Sequence, residues 1–314
     1  MSVGPHTSRL LKTTVGQARH QAITASYSAL VQACDASGEQ SDGAELVDES
    51  PRPLWSLPGS GAYAVVHTDP DEARALLWSA HLLEEHQVPV VVPEYRHPLR
   101  GGGRDVTVWH RPGPRYSGRS VGAWASAAVH RIQPDAGQLR DHDPFDGLLD
   151  GLADAPLLRA DRDVLRLRAD RLREQWTSID WPTPPTVILG DLGAARCHGA
   201  GTTLPRLLLR RPLLRGHLEW DLAAARWRTD MLAGHLHDHD GYAEAYATHT
   251  DRNLPYGSID RWEHYPLVRD LVVLTDVMHT VRRAHLDSRT RQLAAHQSAC
   301  LRGLVARPWP WKVR

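Results

Sequence analysis

Strand-type patterning in this chain is confined to a short stretch near its start, and helical patterning fills most of the remaining length. AYAVVH at 62–67, VPVVVPE at 88–94 and DVTVWH at 105–110 are short apolar runs of strand length. Beyond them, apolar residues recur at helical spacing near 120–133, 160–178, 220–234, 261–288 and 289–305. A chain with its strands gathered at one end cannot build the alternating units of a parallel α/β sheet. It is predicted to be α+β, with a small sheet-containing lobe followed by a large helical one. The predicted division is a partly flexible N-terminal segment at 1–50, an N-lobe at 51–110 and a helical C-lobe at 111–314. Within 1–50, the polar stretch ASGEQSDGAELVDESPRP reads as a loop.

Local signals refine this reading. Asp69, Pro70 and Glu72 form a helix start, and Ala73, Leu76, Leu77, Ala80 and Leu83 give that helix an apolar stripe. Gly101-Gly102-Gly103 is expected to turn a hairpin; no lysine-bearing helix follows it, so it is not a phosphate loop. TVILGDLG at 186–193 interrupts the helical half as a short buried strand with an acidic turn, and RLLL at 206–209 is its expected partner. Trp220, Trp227 and Trp262 read as core in a chain with a single phenylalanine, Phe145.

Composition excludes several classes. The formal net charge is zero, so nothing points to nucleic acid or an acidic membrane surface. No apolar run approaches the 18 residues of a membrane span. Three scattered cysteines, Cys34, Cys197 and Cys300, form no disulfide framework, and a cytoplasmic location is expected. Arginine greatly outnumbers lysine, as GC-rich bacterial coding favours. His235, His237, Asp238, His239 and Asp240 suit a metal by residue type, but the reading is a solvated loop and no metal.

Several segments, in order, resemble the aminoglycoside phosphotransferase and choline kinase superfamily over roughly residues 55–310. EEHQVPVVVPE is similar to the end of the family's regulatory helix and its next strand, and VTVWHRPG to the hinge strand that borders adenine. AWASAAVHRIQP, DHDPFDGLLDGL and QWTSIDWPTPPTVILGD lead to the catalytic loop, and GHLEWDLAAARW and YPLVRDLVVLTDVMHTV come after it. The resemblance implies a two-lobed, protein-kinase-like fold with ATP held between the lobes. It places Thr107, Val108 and Trp109 at the hinge, Asp191 as the catalytic base and Asp221 as a brace of the catalytic loop.

The resemblance also exposes losses. The family's His-Gly-Asp reads Leu189-Gly190-Asp191 here, and its metal-binding Asn is Arg196. Leu209 stands at the magnesium aspartate, His67 near the ATP-binding lysine, and Leu76 near the glutamate that pairs with it. No register repairs this. The only lysines are Lys12 and Lys312, the only asparagine is Asn253, and the segment from Leu192 to Leu218 holds no carboxylate. Magnesium needs oxygen ligands, and phosphoryl transfer needs the metal to neutralise charge. The expectation is therefore a pseudokinase, a binding or scaffolding module in a bacterial, biosynthetic-type pathway. No cofactor is expected, or ATP without magnesium, with His67 and Arg196 as anion contacts. The cleft would hold a peptide, a partner protein or an anionic small molecule. The alternative is a divergent phosphotransferase acting on a small alcohol or a peptide Ser/Thr, with Asp191 as base. The five arginines at 196, 206, 210, 211 and 215 either pair with acidic side chains or bind that anion.

Overall fold

The computed structural model describes residues 5–48, 52–110, 119–133, 139–190, 196–198, 206–232, 240–250 and 254–311; side chains at 5–19, 119–122, 196–198, 229 and 240–241 are outside that description. Five strands make one antiparallel sheet in the order β1-β2-β3-β5-β4. They are β1 (Glu45–Asp48), β2 (Leu54–Leu57), β3 (Ala62–His67), β4 (Leu99–Gly101) and β5 (Arg104–His110). Alternation along β3 and β5 gives the sheet two apolar faces. Ala62, Ala64, Val66, Val106 and Val108 pack against α1 (Pro5–Ser37), through its Ala29, Leu30, Ala33 and Cys34. Leu54, Val65 and Trp109 pack on the other face with α2 (Pro70–Glu85) and with Leu207–Leu209 of the helical half.

The N-terminal reading needs correction. Residues 5–37 are helical and 45–48 form a strand, so much of 1–50 is built into the sheet's own layers. The polar surface of this stretch is real, but only one stripe of α1 must be apolar to dock on a sheet. The docking is close. A Cβ at Gly101 would lie 2.1 Å from Ala29 O and 2.6 Å from Ala33 N, so helix backbone meets strand backbone where glycine stands. The amide of Gly102 donates to Gln32 Oε1 at 2.9 Å.

The hairpin at Gly101–Gly103 and the helix start at Asp69 are as expected. Asp69 caps α2 by accepting from the Asp71 amide at 2.9 Å, with Pro70 in the first turn. Leu76 is fully buried against the sheet. VPVVVPE is not a strand of its own. Prolines 89 and 93 break its ladder, leaving isolated bridges from Val90 to Leu207 and from Pro93 to Trp109.

The helical half contains α3 (Arg119–His130), α4 (Arg159–Trp176), α5 (Leu218–Met231), α6 (Asp240–His249), α7 (Tyr265–Arg283) and α8 (Ser288–Leu301). Two small ribbons interrupt it: β6 (Thr186–Ile188) pairs with β9 (Leu214–Gly216), and β7 (Arg196–His198) with β8 (Arg206–Leu208). The expected pairing of 206–209 with 186–193 is therefore wrong, because Leu214–Gly216 takes that place. Trp220, Trp227 and Trp262 are buried in the core of this half. Residues 235–239 lie outside the described residues, and Asp240 begins α6. Among the described residues no three side chains form a metal-binding group, and no helix is long and apolar enough to cross a membrane.

Candidate functional site: the cavity between the lobes

The turn after β6 is held by buried polar groups from the helical half. Gly190 has φ +68°, and a Cβ there would lie 2.7 Å from Leu214 Cδ1. Asp221 accepts from the amides of Leu189 at 2.8 Å and Gly190 at 3.0 Å. The Trp220 indole donates to Gly190 O at 2.7 Å. His130 Nε2 lies 3.1 Å from Asp221, and its Nδ1 lies 2.8 Å from the Tyr246 hydroxyl. Asp221 thus braces the loop as the resemblance implies. Asp191 itself lies outside the described residues, one position beyond this braced turn.

Gly190 opens onto a cavity of about 570 Å³ between the lobes. One wall is the start of α2, with Asp71, Glu72, Ala75 and Trp78; another is Arg140–Asp143 with Asp146; the third is Arg211–Leu214. Among the described residues, six carboxylates and three arginines line it. Glu72 accepts from Arg52 Nε at 2.9 Å, and Asp146 accepts from Arg140 at 2.6 Å. His142 packs tilted against Trp220 with centroids 4.4 Å apart, and burial pushes its pKa down to about 4. Four of these carboxylates are paired, Glu72 with Arg52, Asp71 with Arg74, Asp146 with Arg140 and Asp141 with Arg215, which leaves a modest negative excess that disfavours an anion.

A second group of charges ties the lobes together above this cavity. Arg210 follows Leu209 in the chain, and its side chain is fully buried. It donates to Asp48 Oδ2 at 3.0 Å and to the Arg52 carbonyl at 2.5 Å. Both acceptors flank the connection between β1 and β2. Here residues 48–53 read Asp-Glu-Ser-Pro-Arg-Pro, with two prolines and no glycine. Arg52 in turn reaches Glu72 in the first turn of α2.

The residues named from sequence fall as follows. His67 is fully buried, 3.1 Å from Thr107 Oγ1. Burial, and then the Arg52 charge, lower its pKa to about 4, which favours the neutral imidazole. Thr107 and Trp109 share the His67 face, and the Trp109 indole donates to Thr107 Oγ1 at 2.9 Å. Val108 points to the opposite face, into the cluster beneath α1. The outer edge of β5 is already paired, with Val108 O accepting from Glu94 N at 2.8 Å and His110 N donating to Val92 O at 3.2 Å. None of the three hinge residues lines the cavity. Arg196 is placed in β7, with its side chain outside the description. Of the other arginines, Arg210 and Arg215 pair with Asp48 and Asp141, Arg206 is exposed, and Arg211 lines the cavity.

Among the described residues, those on the strand and helix after the 189–190 turn do not fit magnesium. Leu209 is buried in an apolar cluster. Asp221 commits both oxygens to backbone amides, and buried Glu219 accepts from the Thr183 hydroxyl at 2.9 Å and from Tyr256 at 3.3 Å. Sequence reasoning missed Arg52, Glu72, Asp48 and Arg210 as one group. The available signal was the glycine-free, proline-bracketed connection before Leu54.

The whole architecture has known counterparts. The chain is similar to a choline kinase from Streptococcus pneumoniae at 12% identity, with a TM-score of 0.56 over 86% of this chain and 98% of that one. It is similar to a microcompartment-associated aminopropanol kinase at 16% identity, with a TM-score of 0.55 over 90% and 99%. An aminoglycoside phosphotransferase from Streptomyces rimosus, solved with ADP and streptomycin, gives 17% identity and a TM-score of 0.52 over 77% and 97%. The fold is therefore the kinase-like fold of the aminoglycoside phosphotransferase and choline kinase superfamily. No protein-family model and no curated protein matches the chain in sequence.

Proposed function

We propose that this chain keeps the kinase fold without kinase chemistry and acts as a pseudokinase, a binding or scaffolding module serving a bacterial, biosynthetic-type pathway. The observation that carries this reading is the buried Arg210, which holds the β1–β2 connection through Asp48 and the Arg52 carbonyl. An active kinase uses that connection to cover nucleotide phosphates and uses the neighbouring carboxylate for magnesium. Here the carboxylate position is a buried leucine, and the connection is fastened by an arginine whose two terminal nitrogens are already engaged. ATP is not a cofactor of this reading, with or without magnesium.

The cleft remains a binding place. Its acidic lining turns the reading away from an anionic small molecule and toward a peptide or partner protein that presents basic groups. In this reading Asp191 takes no proton, and the turn that precedes it is fixed by Asp221 and Trp220 independently of any phosphate. The experiment is phosphate release or transfer from radiolabelled ATP with magnesium, offering aminoglycosides, small amino alcohols and Ser/Thr peptides. The expected result is no turnover above a heat-denatured control. Turnover that Asp191→Asn abolishes would favour the divergent phosphotransferase, with Asp191 as base.

A further inference from the structure

The helical half carries a second concave surface, away from the interlobe cavity. A groove of about 390 Å³ lies between α4 and the ends of α7 and α8, lined by Val164, Leu167, Arg168 and Arg171 on one side and Leu301 and Arg302 on the other. It adjoins a groove of about 290 Å³ that shares Arg168 and Leu301 and runs past Val305 and Arg307 to Trp309. Together they form one trough.

Two independent features mark this trough. The first is apolar exposure. Among the described residues, Leu158, Leu167 and Leu304 are the most exposed large hydrophobics, at 71%, 61% and 65%. Leu167 lines the trough, and the other two flank it: Arg302 bonds Asp161 at 2.9 Å, joining the end of α8 to the start of α4, with Leu158 and Leu304 close on either side in sequence. The second is charge. Among the described residues the trough is lined by four arginines, at 168, 171, 302 and 307, against one carboxylate, Asp270; Arg302 is paired with Asp161, and Arg171 and Arg307 meet no described carboxylate. Asp270 is already shared between Arg168 at 2.8 Å and Arg269 at 3.0 Å. In a chain of zero net charge this is a local segregation, opposite in sign to the interlobe cavity.

A groove beside helices that offers an exposed leucine together with arginines matches the chemistry with which grooves receive an amphipathic helix. We propose that this trough is the docking surface for a partner protein's amphipathic helix, one that carries aspartate or glutamate beside leucine-like anchors. Leu167 and Leu301 would receive the anchors, and Arg171 and Arg307 would meet the acids at the rim. Rim charges chiefly select the partner and speed its approach, while buried apolar anchors supply most of the affinity. The inference goes beyond the pseudokinase reading and stands whether or not the cleft transfers phosphate.

The test uses the full chain and two synthetic helical peptides with identical leucine positions, one with glutamates on its polar face and one with lysines. Binding is read by fluorescence anisotropy at two salt concentrations. The glutamate peptide is expected to bind, more weakly at high salt, and the lysine peptide is not. Leu167→Asp and Arg171→Glu should each weaken the glutamate peptide about tenfold or more. Both side chains are exposed, so both variants should melt with the wild type. Equal binding of the two peptides, or binding that neither substitution alters, overturns the proposal. So does a concentration-dependent dimer in sedimentation that Leu167→Asp abolishes, which would give this face to a second copy of the chain.

Discussion

Replacing Arg210 with alanine tests whether the connection between β1 and β2 is fastened to the helical half. The guanidinium is fully buried, so its desolvation is already part of the folded state. Truncation removes the bonds to Asp48 at 3.0 Å and to the Arg52 carbonyl at 2.5 Å, and it leaves Asp48 without this cation. Breaking a buried pair by removing one partner costs about 3–5 kcal/mol. Asp48 keeps 23% of its side-chain surface in water and rehydrates in part, so the lower end, about 3 kcal/mol, applies. For a chain of this size that is a fall of roughly 5 °C in melting temperature. Arg210→Lys keeps the charge but loses the planar fork, and is expected between wild type and alanine. The assay is thermal and urea denaturation followed by circular dichroism. A melting temperature for Arg210→Ala within about 1 °C of wild type would refute the reasoning, because a buried, bonded guanidinium cannot be removed at no cost.

Three further outcomes rest on the same geometry. Asp221→Ala strands the amides of Leu189 and Gly190 and is expected to destabilise the fold by about 3 kcal/mol or more in urea denaturation, with Asp221→Asn costing less. His67 is held below its unfolded pKa of 6.5, at about 4, by burial. Its neutral form therefore contributes stability in full above about pH 6.5, and that contribution falls away as the pH drops toward 4, by about 3 kcal/mol. A pH series of denaturation curves should show this slope in wild type and a shallower one in His67→Gln. Gly101→Ala places a methyl group against the backbone of α1 and should cost about 1–3 kcal/mol by the same assay, most of it in the docking of that helix.

Much of the fold was legible because its signals are local. The capping residues Asp69 and Pro70, the α2 stripe through Leu76, the glycine turn before β5 and the long apolar period of α7 each depend only on neighbours in sequence. The N-terminal elements were not legible for the opposite reason. α1 is helical because its alanine face meets the glycine-bearing hairpin at 101–102, a contact nearly 70 residues away that no window contains. The 186–188 strand was found, but its partner depends on which of two apolar stretches the chain folds back, and Leu214–Gly216 won over 206–209. At the site, the losses at Leu209, Arg196 and His67 were legible because an absence of carboxylate, asparagine and lysine needs no coordinates. Their replacements were not. Arg210, Asp48, Arg52 and Glu72 are scattered over 162 residues of separation and read individually as ordinary surface charges.

The central claim is that this fold has no use for magnesium-bound nucleotide. The most direct measurement is calorimetric titration of ATP into the protein, once with magnesium and once with a chelator. The segment 192–218 offers no carboxylate or amide ligand and carries five arginines, and the carboxylates of Glu219 and Asp221 are engaged by Thr183 and by the 189–190 amides. A divalent cation gains no protein ligand from that segment. The account predicts little or no heat of binding, with no gain from magnesium, and any residual binding that weakens as salt rises. A saturable, micromolar affinity that appears with magnesium and disappears with the chelator would contradict it.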